Sequence, residues 1–359
     1  MSTQLEEKLN KILAEKKEKI LPENIKKGTN ILGIEGGYEG IDTSDATATA
    51  SDILKDKTAY VNGEKIVGTY EEAETDENYN VMLSPKDSGL SNFDIKNSII
   101  KIGDLDLTGI TSMNSAFSTF YKLTEIKSIS NSSQVTNTNN MFDGCSKLTS
   151  VPLLDTSNVT SMSNMFKSCL LIRNIPEFNT SKAIYMNNMF DGCSRLTSVS
   201  LLDTSNVTNM NRMFAVCAWL KEIPQFNTSK VLDFSSAFIG CTYLETVPEL
   251  DASRMNNVNS AFQNCTKLKN MGGLLNLGKN YTQKTANYSK YMLNLSSCTA
   301  LTHDSLMNVI NNLYDLNVKY DVANGGTLYT QQLILGSTNK AKLTAEEIQI
   351  ATERGWSVS

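Results

Sequence analysis

Seven cysteines are the residues of this chain whose types and spacing first suggest chemistry. Metal sites bring several ligands together through local motifs such as Cys-x-x-Cys, and no such pair occurs in the sequence. Neighbouring repeats could instead form disulfides, but parallel Cβ vectors resist the required dihedral angle and a reducing cytoplasm disfavours the bond. We therefore interpret the cysteines as small, inert core residues. Six recur every 24 residues and the seventh stands apart: Cys145, Cys169, Cys193, Cys217, Cys241, Cys265 and Cys298.

A second group of residues also recurs every 24 positions, and in it an Asp or Asn comes directly before a small residue such as Thr. Stacked carboxylates could bind Ca²⁺, but every second position is a neutral Asn, and no glycine-rich calcium turn accompanies the set. Such short side chains hydrogen-bond the local backbone where a chain bends, so we predict a structural role and no metal site. The set comprises Asp155, Asn179, Asp203, Asn227 and Asp251.

Catalytic residues are not indicated anywhere in the chain. His303 is the only histidine, and no nucleophile and acid accompany it in a triad pattern. A glycan-cleaving enzyme would need one distinct pair of carboxylates, whereas the acids in the repeats fall into columns. The sequence therefore predicts a non-enzymatic protein without a cofactor.

The residues most suited to binding are aromatic and charged side chains at variable positions of the repeats. Trp219 and Tyr243 are one repeat apart and would lie side by side, as a platform for sugar rings or for a partner side chain. The alternative is that these aromatic side chains only shield the edges of a sheet. Charged and polar residues run beside them, and together they form the candidate ligand-binding face: Arg173, Glu177, Trp219, Lys221, Gln225, Tyr243, Glu245 and Glu249.

The element that must position these residues is an internal repeat, which we assign to residues 117–298. Its Phe residues recur at an interval of 25 and then five intervals of 24: Phe117, Phe142, Phe166, Phe190, Phe214, Phe238 and Phe262. Each unit has one extended run, such as residues 147–154, and one stretch suited to a helical turn, such as 161–169. Neither can bury its apolar side alone, so the units must stack. A 24-residue period lies within the range of leucine-rich repeats, and we predict an α/β leucine-rich-repeat solenoid of short parallel strands and short helices.

Between about residues 110 and 275 the units read Met-Phe-x-x-Cys-x-x-Leu-x-x-Val-Pro-x-Leu-Asp-Thr-Ser-x-Val-Thr. This pattern resembles the BspA-like leucine-rich repeats. The resemblance implies a solenoid that contacts proteins or glycans, often at bacterial surfaces, and it implies no catalysis.

Both ends of the array are expected to carry caps, over residues 81–116 and 299–359. In the second cap, Leu306, Val309, Ile310 and Leu313 follow helical spacing. Thr344 to Glu347 then forms a capping box that starts a helix ending near Gly355. This region resembles the terminal cap found with such repeats in phage and prophage proteins.

The N-terminal part is predicted to contain a helix over 1–20, small β-rich docking modules over 21–70 and an acidic linker over 71–80. Asn62-Gly63 between extended runs is a strong hairpin signal. The string Lys-Thr-Ala-Tyr-Val-Asn-Gly resembles modules of phage structural proteins. The resemblance implies docking through residues 1–70 onto tail, baseplate or capsid proteins of a virion. We therefore expect a tail fibre or receptor-binding protein whose repeats recognise a host-surface glycan or protein. The alternatives are a head fibre or capsid decoration and, less favoured, a bacterial surface adhesin.

Composition narrows the partners further. The formal net charge of −5 disfavours nucleic acid, which usually requires a basic stripe. The sequence has neither a run of about 18 apolar residues nor a basic start followed by an apolar segment, so neither a membrane span nor a secretory signal is predicted. We expect synthesis in the host cytoplasm and residence in the virion. Fibres are commonly trimeric, but residues 1–20 hold too few heptads to predict an oligomer, which stays open.

Overall fold

A computed structural model describes residues 100–280 and 292–359, together with four two-residue strands nearer the N-terminus. Strands β1 (Asn30–Ile31) and β2 (Ile34–Glu35) form one antiparallel pair. Strands β3 (Tyr60–Val61) and β4 (Glu64–Lys65) form another and flank the expected Asn62-Gly63 turn. The helix expected over 1–20, the acidic linker and the start of the first cap lie outside the described residues.

From residue 100 onward the chain winds into stacked coils joined by backbone hydrogen bonds. Within each coil, amide groups donate to carbonyl groups of the next coil; Phe166 N, for example, donates to Met189 O at 2.9 Å. One position of every coil forms a parallel bridge to the same position of the next. This ladder runs through Ser112, Asn137, Ser161, Tyr185, Asn209, Asp233 and Asn257. The coils therefore stack in register along one axis.

Regular strands occur at the two ends of the array but not in its middle. At the start, β5 (Lys101–Asp106) pairs with β6 (Glu125–Ser130), and the partners are parallel. Near the end, the parallel pairs are β7 (Thr246–Val247) with β9 (Asn270–Met271) and β8 (Leu250–Asp251) with β10 (Leu274–Leu275).

The run predicted over residues 147–154 is not part of a regular strand, because it has no continuous ladder. Isolated hydrogen bonds still join the coils there, such as Thr149 N to Thr124 O at 3.1 Å. A proline near the end of the run has no amide hydrogen to donate, but Ser200 replaces it in a coil that also lacks a ladder, and Pro248 lies between the paired strands β7 and β8. Proline therefore does not account for the missing ladder. The prolines are Pro152, Pro176, Pro224 and Pro248.

The short helices predicted within the repeats are wrong. Residues 161–169 form consecutive turns in which Asn164 and Ser168 have left-handed backbone, with φ of 57° and 59°. Their amide groups donate to Asn187 O and Asp191 O of the next coil, so they cannot bond back within a helix. Among the described residues, helices belong to the C-terminal cap.

The interior consists of columns of identical or similar side chains, as predicted. The Phe rings stack with centroid separations of 5.4 to 5.8 Å from Phe166 through Phe262. All seven cysteines are buried free thiols. Each donates to the carbonyl of a Phe one coil earlier, as Cys169 Sγ does to Phe142 O at 3.2 Å. Buried columns in coils of constant length define a leucine-rich-repeat solenoid.

The C-terminal cap contains the helices and a three-stranded parallel sheet with the order β11, β12, β13. Leu306, Val309 and Ile310 are buried in the first helix, which confirms the spacing argument. The capping box between Thr344 and Glu347 is also confirmed. The elements are β11 (Met292–Asn294), α1 (His303–Asn311), α2 (Leu316–Lys319), β12 (Gln331–Ile334), α3 (Gly336–Lys340), α4 (Ala345–Glu353) and β13 (Trp356–Val358).

Candidate functional site

The candidate site is an exposed surface that we name the outer face. It comprises the residues immediately before and after one buried aliphatic column, and each of its side chains is exposed or half-buried. Residues two apart in an extended run project to the same side. The buried column is Leu123, Leu148, Ile172, Leu196, Leu220, Leu244 and Leu268.

Trp219 and Tyr243 occupy neighbouring coils of the outer face, as predicted from the repeat length. Their side chains are 58% and 52% exposed, and the ring centroids lie 6.3 Å apart with planes tilted by 35°. Tyr243 N donates to Ala218 O at 3.1 Å, which joins the two coils beside the rings. The pair is a preformed aromatic platform that is open to solvent.

Charged side chains of the outer face lie beside this platform. Lys221 follows the buried Leu220 of the Trp219 coil, and Glu245 occupies the same position one coil later. Glu245 Oε2 accepts from Lys269 Nζ of the following coil at 3.2 Å. Arg173 holds this position two coils before Lys221.

Glu177, Gln225 and Glu249 lie in a different column, five positions after the buried aliphatic residue. The same column holds Leu153 one coil before Glu177 and Leu201 one coil after it, and both leucines are largely exposed. Gln225 Nε2 donates to Glu249 O at 2.7 Å, and Asn312 Nδ2 contacts Glu249 Oε2 at 3.5 Å. The eight predicted residues therefore divide among three columns, two of them on the outer face, and do not form one cluster.

A groove of about 490 Å³ lies near the start of the solenoid, where the Phe interval is 25 instead of 24. The Asp155 carboxylate in its wall accepts the Ser157 amide at 2.9 Å, and this bond lowers the pKa of Asp155. The extra residue in the sequence was the available signal for this irregularity. Its lining is Ile129, Asn131, Ser132, Ser133, Leu153, Leu154, Asp155, Thr156, Glu177 and Asn179.

The Asp and Asn column has the structural role that was predicted. Ser181 N donates to Asn179 Oδ1 at 3.2 Å, and Ser205 N donates to Asp203 Oδ1 at 2.9 Å. Hydrogen bonds from the Ser205 side chain and backbone lower the pKa of Asp203. Within the described ranges, no group of three His, Cys, Asp or Glu residues is arranged to hold a metal ion. These acids stabilise the bends between coils.

The cysteines and His303 have surroundings that do not favour reactivity. Burial raises the pKa of Cys241 and of Cys298 to about 12, so both remain neutral thiols. His303 lies on the surface of the cap, where its Nε2 is 2.8 Å from Glu347 Oε1. Hydrogen bonds to Glu347 and then to Asp304 raise its pKa. His303 thereby connects α1 to α4.

Comparison with known proteins identifies a family for the coiled region. The family described as "Mycoplasma protein of unknown function, DUF285" matches residues 90–199 and 186–300, which together span more than half of the chain. No curated protein matches the chain. In residues 100–280 and 292–359, no helix has the length and apolar character to cross a membrane.

Two solved structures show weak similarity. The crystal structure of a T. pallidum leucine-rich-repeat protein is 20% identical, with a TM-score of 0.34 over 47% of this chain and 78% of that one. A TLR13–ssRNA13 complex is 15% identical, with a TM-score of 0.26 over 75% of this chain and 40% of the other. Both scores are too low to support a functional argument, and the assignment of the fold rests on the coils themselves.

Proposed function

This chain belongs to the DUF285 family, and from that premise we propose that it is a non-enzymatic adhesion protein whose solenoid recognises a cell surface. The observation that carries the proposal is the exposed Trp219–Tyr243 platform on a rigid stack. Large aromatic side chains provide much contact area at low cost in conformational entropy, so exposed pairs of this kind favour binding.

The recurring groups that could perform chemistry are already engaged in stacking the coils. Each Cys thiol is buried against a carbonyl group, as Cys193 is against Phe166 O at 3.1 Å. Asp155 and Asp203 hold local turns through their carboxylates. Such engagement occupies these groups, whereas the aromatic platform of the outer face is open to solvent, which supports recognition rather than catalysis.

We propose further that the chain is a tail fibre or receptor-binding protein of a bacteriophage virion. Its support is the resemblance of residues 21–70 to phage structural modules, and residues 1–70 would dock onto tail, baseplate or capsid proteins. The repeats would bind a host-surface glycan or protein. A head fibre or capsid decoration is the closest variant of this proposal.

A bacterial surface adhesin is the second candidate, because the description of the family names Mycoplasma, a cellular source. Immunogold labelling with antibodies against the solenoid separates the candidates. Gold on particle tails is expected for a fibre, and gold on heads for a decoration. Gold confined to the bacterial envelope would contradict attachment to a virion and support the adhesin.

Recognition itself is tested by binding of the fluorescently labelled full chain to cells of the source bacterium or its phage host. Trp219→Ala combined with Tyr243→Ala should weaken binding and leave the melting temperature within a few degrees, because both side chains are mostly exposed. Tyr185→Ala is the matched control, since Tyr185 is 48% exposed in the bridge column. Unchanged binding by the double variant, or equal loss in the control, would refute the platform's role.

A further inference from the structure

We propose that the outer face binds a linear anionic glycan, with sugar rings on the aromatic platform and acidic groups on a row of cations. The inference rests on the proposed recognition function and specifies the chemical class of its ligand. The glycan would lie along the solenoid axis and cross successive coils.

The charge of the outer face is opposite to that of the whole chain. The chain contains 33 basic and 38 acidic residues. The outer face has fourteen positions over seven coils, of which seven are basic and only Glu245 is acidic. The position before the buried aliphatic residue holds Lys122, Lys147, Leu171, Arg195, Trp219, Tyr243 and Lys267. The position after it holds Thr124, Thr149, Arg173, Thr197, Lys221, Glu245 and Lys269.

Most of these cations have no protein partner in the part of the chain that the structure describes. Lys269 is paired with Glu245. For the other six, no carboxylate lies within ion-pair distance and no side-chain hydrogen bond forms among the described residues: Lys122, Lys147, Arg173, Arg195, Lys221 and Lys267. Cations on other columns are engaged, as Lys182 Nζ is with Asn158 Oδ1 at 2.6 Å and Lys230 Nζ with Asn206 Oδ1 at 2.7 Å.

The order of residues along one column suits a charged sugar chain. In successive coils it runs Arg195, Trp219, Tyr243 and Lys267, so a cation lies on each side of the aromatic pair. The coils repeat every 5.4 to 5.8 Å, as the stacked Phe rings show. That repeat is comparable to the length of one sugar unit in an extended glycan. Rings could therefore lie on the platform while acidic groups reach cations of neighbouring coils.

Apart from Glu245, the outer face offers its row of cations no counter-charge. Like charges in adjacent coils repel one another, and a bound polyanion would relieve this repulsion. Glu222 lies just beyond the outer face beside Lys221, and it would confine a polyanion to the two columns. The density of about one cation per coil matches a glycan with one acidic group per sugar. Nucleic acid carries a denser negative charge, and the net charge of −5 of the whole chain would repel it.

The test uses the full chain and a defined probe, oligogalacturonate of ten sugars, with the fully methyl-esterified oligomer as its uncharged match. Binding is measured by titration calorimetry and by the fluorescence of Trp219, because the other tryptophan, Trp356, is buried in the cap. We expect the acid form to bind about ten-fold or more tightly than the ester, and added salt to weaken binding.

A pair of charge variants tests the location of the site. Arg195→Gln with Lys221→Gln should weaken binding about ten-fold, since each lost contact contributes about half of that free energy. Lys182→Gln with Lys230→Gln removes the same charge from another column and should change affinity by less than about two-fold. Trp219→Phe should abolish the fluorescence change and retain most of the affinity.

Four outcomes of the probe experiments would overturn the inference, and a fifth comes from cell binding. The four are equal binding of acid and ester, no binding of either, equal loss in both charge variants, and tighter binding of a single-stranded oligonucleotide of equal charge. Cell binding separates this inference from the proposed function. Wild-type binding to cells that is unaffected by Arg195→Gln with Lys221→Gln would refute the anionic glycan and retain the adhesion function. Oligogalacturonate binding without any cell binding would refute the adhesion function and retain the anionic-glycan site.

Discussion

Replacing Val216 with Gly should stabilise the protein, although the substitution removes a side chain. Val216 has φ of 59°, a left-handed conformation that its branched side chain disfavours, and the side chain is 46% exposed. Left-handed backbone costs an L-residue roughly 1–2 kcal/mol. Glycine loses about 0.5–1 kcal/mol more than other residues in conformational entropy on folding. The net stabilisation should be about 0.5–1 kcal/mol.

The same position in neighbouring coils supplies the reverse experiment. Gly192 has φ of 81°, and a Cβ there would lie 3.4 Å from Ser168 Cα of the previous coil. Gly192→Val should therefore destabilise the protein by about 1–2 kcal/mol, because strain and crowding outweigh the entropic benefit. The position is left-handed in seven coils, and glycine occupies every second one: Thr119, Gly144, Ser168, Gly192, Val216, Gly240 and Asn264.

Urea unfolding followed by far-UV circular dichroism measures both effects, and thermal melts provide a second readout. A gain of 0.5–1 kcal/mol corresponds to a rise of about 1–4 °C in a domain of this size. Val216→Ala is the control, because Ala loses the branch but keeps the Cβ that disfavours left-handed backbone. Val216→Ala should not stabilise. If Val216→Gly destabilises the protein as much as Val216→Ala, the strain argument is incorrect.

Three further predictions concern buried groups and the C-terminal cap. Thiol titration of the native chain at neutral pH should find Cys193 and the other cysteines unreactive, and denaturant should expose all seven; rapid native modification would contradict their burial. Arg212→Asn should lower the free energy of unfolding in urea by about 1 kcal/mol, because it leaves the Asp191 carboxylate, which is 9% exposed, without its partner. Asn is chosen because it tolerates left-handed backbone. Adding Asp191→Asn should recover most of the loss. Because the pKa of His303 is raised in the folded protein, its contribution to stability is full below the ordinary histidine pKa and is lost as pH rises through the raised value. The pKa of Glu347 is lowered, so the contribution of Glu347 to stability is lost only in acid. His303→Gln should therefore lower the melting temperature more at pH about 6 than at pH about 9, and an equal effect at both would exclude the charged pair.

The repeat length predicted the stacking of the coils, but not their local backbone. Met162, Met165, Phe166 and Cys169 follow helical spacing, and all four are buried. A coil that closes through consecutive turns places the same positions inward, so apolar spacing cannot distinguish the two. The recurrent Asn and Gly residues at left-handed positions were the distinguishing signal, because helices exclude such backbone.

The adjacency of Trp219 and Tyr243 followed from the constant unit length alone, since equal coils bring equivalent positions together. The division of the other candidates into two columns also follows from the sequence, because Arg173, Lys221 and Glu245 differ from Glu177, Gln225 and Glu249 by four positions in the repeat. The net charge of the whole chain does not reveal the cation row, because acidic residues outnumber basic ones overall. Charge counted column by column reveals it.

The fold explains why its inner columns are uniform but does not require the composition of its outer face. Phe190, Cys193 and Leu196 are wholly buried between neighbouring coils, so stacking restricts them to side chains of suitable size and polarity. Arg195 and Trp219 are exposed and contribute little to that packing, so stacking does not restrict them in this way. Like charges in such a row repel one another weakly through solvent. Packing therefore does not account for the composition of the outer face, and a ligand that combines rings with negative charge fits it.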